Sequence, residues 1–349
     1  MKFVDLLYLA LYYILKTLAL LPNSALKIVA CGIANLAYAL NFKHRKIIKA
    51  NLRFCFPEKS EAQISQLTRQ IYKNFAKFGF EFLKRQHTTP SEIKELVSID
   101  DMGIFRNAIA SKRPLVFITA HFSCWELIPF IYASNFGGIS IVTRTLDSKV
   151  MNELLAKSRT QHFDIELIDK IGGAKKMLAA LKNGRALGIL PDQDASDSES
   201  VVVEFFGKKV NWNAGASVIA KKVGALLIPA FVYQRDDCAA DFGSEKNGLQ
   251  SEKFGIQNEK SGANGDKFSI ADDKNGLQGE KFGVNSEKNG SQSAKYSVRC
   301  FKPLDATLAT KEELSAYQAK CCEEMIKARP AEYFFFHKRF KRFYEEIYA

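Results

Sequence analysis

Apolar positions along the chain fall into three regimes. Residues 3–22 are apolar apart from Asp5, Lys16 and Thr17, and a weaker apolar stretch covers 25–40. Residues 59–97 read as helices. From 114 onward, short β-prone runs alternate with longer amphipathic ones. The runs 114–120, 138–144, 185–191, 226–234 and 296–304 predict strands; 124–134, 149–161, 173–184 and 214–224 predict helices between them. A long helix is predicted over 311–330, and an aromatic and basic tail follows at 332–348. Strands alternating with helices imply an α/β fold, with a mixed, largely parallel sheet flanked by helices.

The first regime is close to what a membrane demands, since about 20 apolar residues span a bilayer as a helix. Lys16 interrupts it. Lys43, His44, Arg45, Lys46, Lys49 and Arg53 follow the second apolar stretch, and such a cluster belongs on the cytoplasmic side. Residues 1–42 are therefore expected to be a membrane-associated segment, spanning once or lying in the interface. The alternative is a buried hairpin of a soluble protein. The tail suits a membrane interface or, equally, a helix packed on the core with a charged outer face.

A different rhythm occupies 244–295. Lysine recurs every seven residues at 246, 253, 260, 267, 274, 281, 288 and 295, preceded by an acidic residue each time except the last. Glycine in nearly every unit and Lys-Asn-Gly steps argue against a coiled coil and for turns. The segment reads as a tandemly expanded, surface-exposed flexible loop, or as a small stacked array of turns. It splits a hairpin formed by 226–234 and 296–304, and long loops are tolerated because closure entropy grows slowly with length. The expected organisation is a membrane segment at 1–42, one α/β domain in two pieces at 43–243 and 296–349, and the insertion at 244–295.

Composition narrows the partners. Lys and Arg number 50 against 38 Asp and Glu, a formal net charge of +12. A basic surplus favours anionic partners. Among these, phospholipid fits the apolar N-terminus, and nucleic acid is disfavoured because no nucleic-acid motif accompanies the charge. Seven cysteines without a CxxC pair point to a reducing compartment. The five histidines are scattered, so neither a metal site nor a cofactor site is expected.

Candidate chemistry concentrates in His121-Phe-Ser-Cys-Trp-Glu126, directly after the 114–120 strand. On one helix the two ends would point about 140° apart, so they can meet only with His121 in a loop and Glu126 in the first helical turn. Ser123-x-x-Glu126 also matches a capping box, which would leave Glu126 a purely structural task. A histidine that takes a proton from a hydroxyl, steadied by a carboxylate, is the sharper reading. Cys124 offers a rival nucleophile, though core packing beside Trp125 suits it better.

The stretch resembles the HX4D/E motif of glycerolipid-type acyltransferases. More specifically it resembles bacterial lipid A secondary acyltransferases, the lauroyl and myristoyl transferases of the HtrB type. Further matches follow in order: 51–60 (NLRFCFPEKS), VTR ending at Arg144, KSR ending at Arg159, LPDQD at 190–194, FFG at 205–207, 214–231 and HKRFKRF at 337–343. The repeat at 244–295 departs from the family pattern.

The resemblance implies acyl transfer from acyl-acyl carrier protein, or from acyl-coenzyme A, to a hydroxyl of a Kdo-bearing lipid A precursor. It also implies a site on the cytoplasmic face of the bacterial inner membrane. His121 is then expected as general base, oriented by Glu126, with direct attack on the thioester. Arg159 would meet the thioester oxyanion or an acceptor phosphate. Arg144 and Asp192 are expected to bind or support substrate, with Gln193 beside them. Two competing readings stand: an acyltransferase for another lipid acceptor (lysophospholipid, glycerol phosphate or amino lipid), and a non-catalytic protein that binds anionic membranes.

Overall fold

The computed structural model describes residues 3–85, 88–235 and 294–349. The repeat expected over 244–295 lies outside the described residues, except for Ala294 and Lys295. Both belong to the folded body. Lys295 donates its backbone N–H to Leu96 O and pairs through its ammonium with Glu81.

Four helices lead: α1 (Phe3–Leu18), α2 (Asn23–Leu40), α3 (Phe42–Cys55) and α4 (Glu61–Lys84). The apolar 3–22 stretch is thus one 16-residue helix plus a turn. At 1.5 Å per residue α1 is about 24 Å long, short of a bilayer's apolar thickness. Among the described residues only α2 is long and apolar enough to cross a membrane. Leu26, Ala30 and Ala34 of α2 are buried, and α2 packs on α4. Leu6, Leu7, Leu11 and Ile14 of α1, and Ile28, Leu36 and Leu40 of α2, point outward.

The sheet then builds outward from its centre. Its strands are β1 (Val97–Ile99), β2 (Leu115–Ile118), β3 (Ile139–Thr143), β4 (Ile165–Asp169) and β5 (Ala186–Ile189). A separate hairpin, β6 (Ser200–Phe205) and β7 (Lys208–Asn213), precedes β8 (Leu226–Gln234), β9 (Tyr296–Cys300) and β10 (Leu304–Asp305). The spatial order is β1-β9-β8-β2-β5-β3-β4, with β10 also on β8. Pairings from β8 through β2, β5 and β3 to β4 are parallel. Strands β8 and β9 pair antiparallel in the register Val232↔Val298, as the interrupted hairpin requires.

Alternation along β2 feeds two cores. Val116 and Ile118 join Leu187, Ile189 and Leu227 on one face, under α9 (Ala174–Lys182), α10 (Gly215–Val223) and α11 (Lys311–Ala328). Leu115 and Phe117 join Ile139, Ile228 and Val298 on the other, under α5 (Pro90–Leu96), α6 (Met102–Ala110) and α7 (Leu127–Asn135). Helix α8 (Lys149–Thr160), between β3 and β4 in the chain, contacts α1 and β4.

Several expectations change. Strand β4 carries Glu166 in an edge position, which breaks the apolar run that would reveal it. The β6–β7 hairpin turns at Phe206-Gly207, both at positive φ (55° and 68°), the geometry of a tight type I′ turn. That explains the FFG stretch. The run 296–304 is broken after Cys300, and only Leu304–Asp305 returns to β8.

The tail forms no α-helix, only short 3-10 turns such as Glu345–Tyr348, and it packs largely on the core while Lys341, Arg342 and Phe343 stay exposed. Tyr333, Phe335 and Phe340 are almost fully buried. Arg339 is buried with them, 5.1 Å from the Trp212 ring and donating to Asn211 O at 2.8 Å. Asn51, from the NLRFCFPEKS stretch, anchors this segment by donating to Phe335 O and His337 O, both at 2.9 Å.

Candidate active site

Strands β2 and β5 lie side by side in the register Ile118↔Ile189. Three residues beyond each partner stand His121 and Asp192. The pairing therefore delivers both to the carboxyl end of the sheet, where open α/β folds place their sites. His121 Nδ1 lies 2.9 Å from Asp192 Oδ1, and the His121 backbone N–H donates to Asp192 Oδ2 at 3.1 Å. Asp192 is completely buried.

Hence the carboxylate on the histidine is Asp192, not Glu126 as the HX4E spacing suggests. The backbone explains the difference. Ser123 adopts a left-handed conformation (φ 50°), and α7 begins only at Leu127. The capping box of Ser123 and Glu126 does not form: the residue before α7 is Glu126 itself, without a side-chain cap. The C-terminal segment holds this kink open. Phe122 bridges Tyr333, Ser123 N–H donates to Glu332 O at 2.7 Å, and Phe334 N–H donates to His121 O at 2.9 Å.

Glu126 turns instead to α8. It accepts two hydrogen bonds from Arg159, from Nε at 3.0 Å and Nη2 at 2.6 Å. This is a bidentate, partly buried pair. It leaves the Arg159 Nη1 group outside the clamp. Ser148 caps α8 by accepting from Met151 N–H at 3.2 Å and donates to Asp5 Oδ1 at 2.7 Å. The apolar N-terminal helix is thereby tied to the helix that carries Arg159.

Electrostatics favour a working imidazole. Burial pushes the His121 pKa down, but the charge and hydrogen bond of Asp192, with help from Glu126, outweigh it and raise it above the ordinary value. For Asp192, burial pushes upward, yet His121 holds the acid down to about 2. A carboxylate on Nδ1 fixes that nitrogen as the donor and leaves a lone pair on Nε2. Gln193 Nε2 lies 3.3 Å from that Nε2. Trp125 and Phe334 flank the imidazole, with ring centroids 5.2 and 6.0 Å away. Cys124 is no rival nucleophile: burial, aided by Glu81, pushes its thiol up to about 12.

Two spaces meet here. A cleft of about 870 Å³ runs from His121 and Gln193 past Arg144 to Lys170 and Lys176. A second, apolar pocket of about 270 Å³ is walled by Phe75, Phe78, Phe82, Phe130 and Leu155. Trp125, Glu126, Leu155 and Arg159 line both. His121, Glu126, Arg144, Arg159 and Gln193 thus face one cleft, and Asp192 supports it from behind. Lys170 and Lys176 were not singled out from sequence, because lysines near strand and helix ends are indistinguishable there from solvated ones.

The sequence profile of the bacterial lipid A biosynthesis acyltransferases matches residues 2–243 and 287–342. The chain belongs to that family. It is an acyltransferase, and the break in the match falls on the heptapeptide repeat. Among relatives, a lipid A biosynthesis lauroyltransferase of Escherichia coli K12 is 27% identical over 219 residues, covering 62% of this chain and 69% of that protein. A lipid A biosynthesis acyltransferase of Haemophilus influenzae is 24% identical over 200 residues, covering 54% of this chain and 59% of that protein. The acyltransferase thus acts in lipid A biosynthesis, and the geometry around His121 is where its chemistry is to be sought.

Proposed function

We propose that the enzyme transfers a fatty acyl chain from acyl-acyl carrier protein to a hydroxyl of a Kdo-bearing lipid A precursor, at the cytoplasmic face of the inner membrane. The observation that carries the mechanism is the His121–Asp192 pair, with Nε2 turned to the cleft. The acceptor hydroxyl displaces Gln193 from Nε2 and gives its proton to that nitrogen as its oxygen attacks the thioester carbon. Asp192 stabilises the imidazolium that forms. The tetrahedral intermediate collapses, the C–S bond breaks, and the imidazolium returns the proton to the leaving thiolate. Products are the new ester and the free thiol of the carrier; no acyl-enzyme forms.

Arg159 supplies the positive charge for the oxyanion, and Glu126 holds its guanidinium in place. The apolar pocket takes the acyl chain, because it meets the cleft at Arg159 and Glu126. Arg144, Lys170 and Lys176 suit the acceptor's phosphates. Acyl carrier protein and inner-membrane phospholipid, both anionic, suit the basic surplus. The chemistry needs no cofactor beyond the donor.

The test is incubation with acyl-acyl carrier protein and a tetra-acylated, Kdo-bearing precursor, read by product mass. A gain of one acyl chain is expected. Transfer only to a lysophospholipid or glycerol phosphate would replace the acceptor in this reading.

A further inference from the structure

One residue lining the apolar pocket has no side chain. Helix α4 presents Phe75, Phe78, Gly79 and Phe82 to it, positions that share one helical stripe. Three are large aromatics and the fourth has no side chain. Gly79 is exposed at the pocket's rim, and a Cβ there would meet nothing within 4 Å. Close packing therefore does not demand a glycine. Nor does backbone geometry, since the residue lies inside a regular helix, where glycine is less favourable than alanine. What its absent side chain leaves is space along the stripe that faces the pocket.

We propose that Gly79 sets the longest acyl chain the enzyme accepts, by leaving an opening through which the distal end of the chain extends past Phe75, Phe78 and Phe82. The inference rests on the apolar pocket being the acyl-chain site. A side chain at 79 projects across the opening and shortens the usable path. Discrimination by one or a few methylenes in an apolar pocket is typically about 10- to 200-fold.

The experiment compares wild type, Gly79→Ala and Gly79→Leu with a ladder of acyl-acyl carrier protein donors of increasing chain length, reading kcat/KM for each. For Gly79→Leu, kcat/KM for the longest donor that wild type uses well is expected to fall about 10- to 100-fold. Short donors are expected to lose far less, so the preferred length shifts downward. Gly79→Ala is expected to shift it less in the same direction while raising the melting temperature. A purely structural role would lower every donor alike. A donor profile in Gly79→Leu parallel to that of wild type, or an unshifted profile in both variants, overturns the inference while leaving the acyltransferase reading intact. Absence of transfer by wild type from any donor overturns the acyl-pocket reading and this inference with it.

Discussion

At the scale of single residues, the site is a division of labour between two carboxylates. Asp192 is buried against His121, and Glu126 clamps Arg159. His121→Ala is expected to lower kcat by about 10²–10⁴-fold, the usual worth of a general base, and to lower the melting temperature as well, because it leaves the buried Asp192 carboxylate without its ring partner. The pH dependence follows from the sign of the shift. His121 is raised, so the neutral form that the proposed mechanism needs is lost on acidification at a pH above the ordinary histidine value. In Asp192→Asn the raising partner is gone and burial dominates, so that acid limb moves to lower pH; a kcat/KM profile checks the direction. The two groups make stability depend on pH in opposite directions. The depressed Asp192 contributes stability that is present above the unfolded carboxylate value and lost as pH falls towards about 2. The raised His121 contributes stability below its unfolded value, and this is lost as pH rises through its folded one. For Arg159→Lys the bidentate clamp cannot form, and kcat is expected to fall about 10²–10³-fold.

At the scale of elements, what was legible from sequence was periodicity. Strand β2, strand β5 and the helices around them follow from alternating apolar runs. The motif at 121–126 was legible as a strand end with chemistry. Its partner was not, because the contact of His121 with Asp192 is a consequence of register between strands 71 residues apart in the chain. Nothing in the HX4E spacing announces that Ser123 takes a left-handed φ and swings Glu126 towards α8. Of the two readings of the tail, packing on the core with a charged outer face is nearer the structure, though without the α-helix. Tyr333, Phe335, Arg339 and Phe340 look interfacial in sequence until β7 and Asn51 are seen to hold this segment against the core. Helix α8 offers an element-scale prediction. Ser148→Ala removes both its N-cap and its link to Asp5, and is expected to cost about 1 kcal/mol. A lower melting temperature and a reduced kcat, with donor preference unchanged, would show α8 loosening behind Arg159.

At the scale of the whole molecule, α1 and α2 join an outward apolar surface to the catalytic body through α4 and α8. The repeat enters and leaves between β8 and β9, whose pairing is complete without it. Replacing residues 236–293 with a short turn is therefore expected to keep the fold and to leave kcat/KM within a few-fold of wild type; loss of transfer in a folded variant would give the repeat a catalytic part. In the proposed mechanism Asp192 is the group that makes His121 a base. The decisive measurement is acyl transfer to the lipid A precursor by Asp192→Asn and Glu126→Gln beside wild type, followed across pH, with folding checked by thermal melts. Asp192→Asn is expected to lower kcat by about 10²–10⁴-fold and to shift the acid limb down, while Glu126→Gln is expected to lower kcat without moving that limb as far. An Asp192→Asn enzyme that folds and transfers at the wild-type rate would contradict the role of Asp192 behind His121.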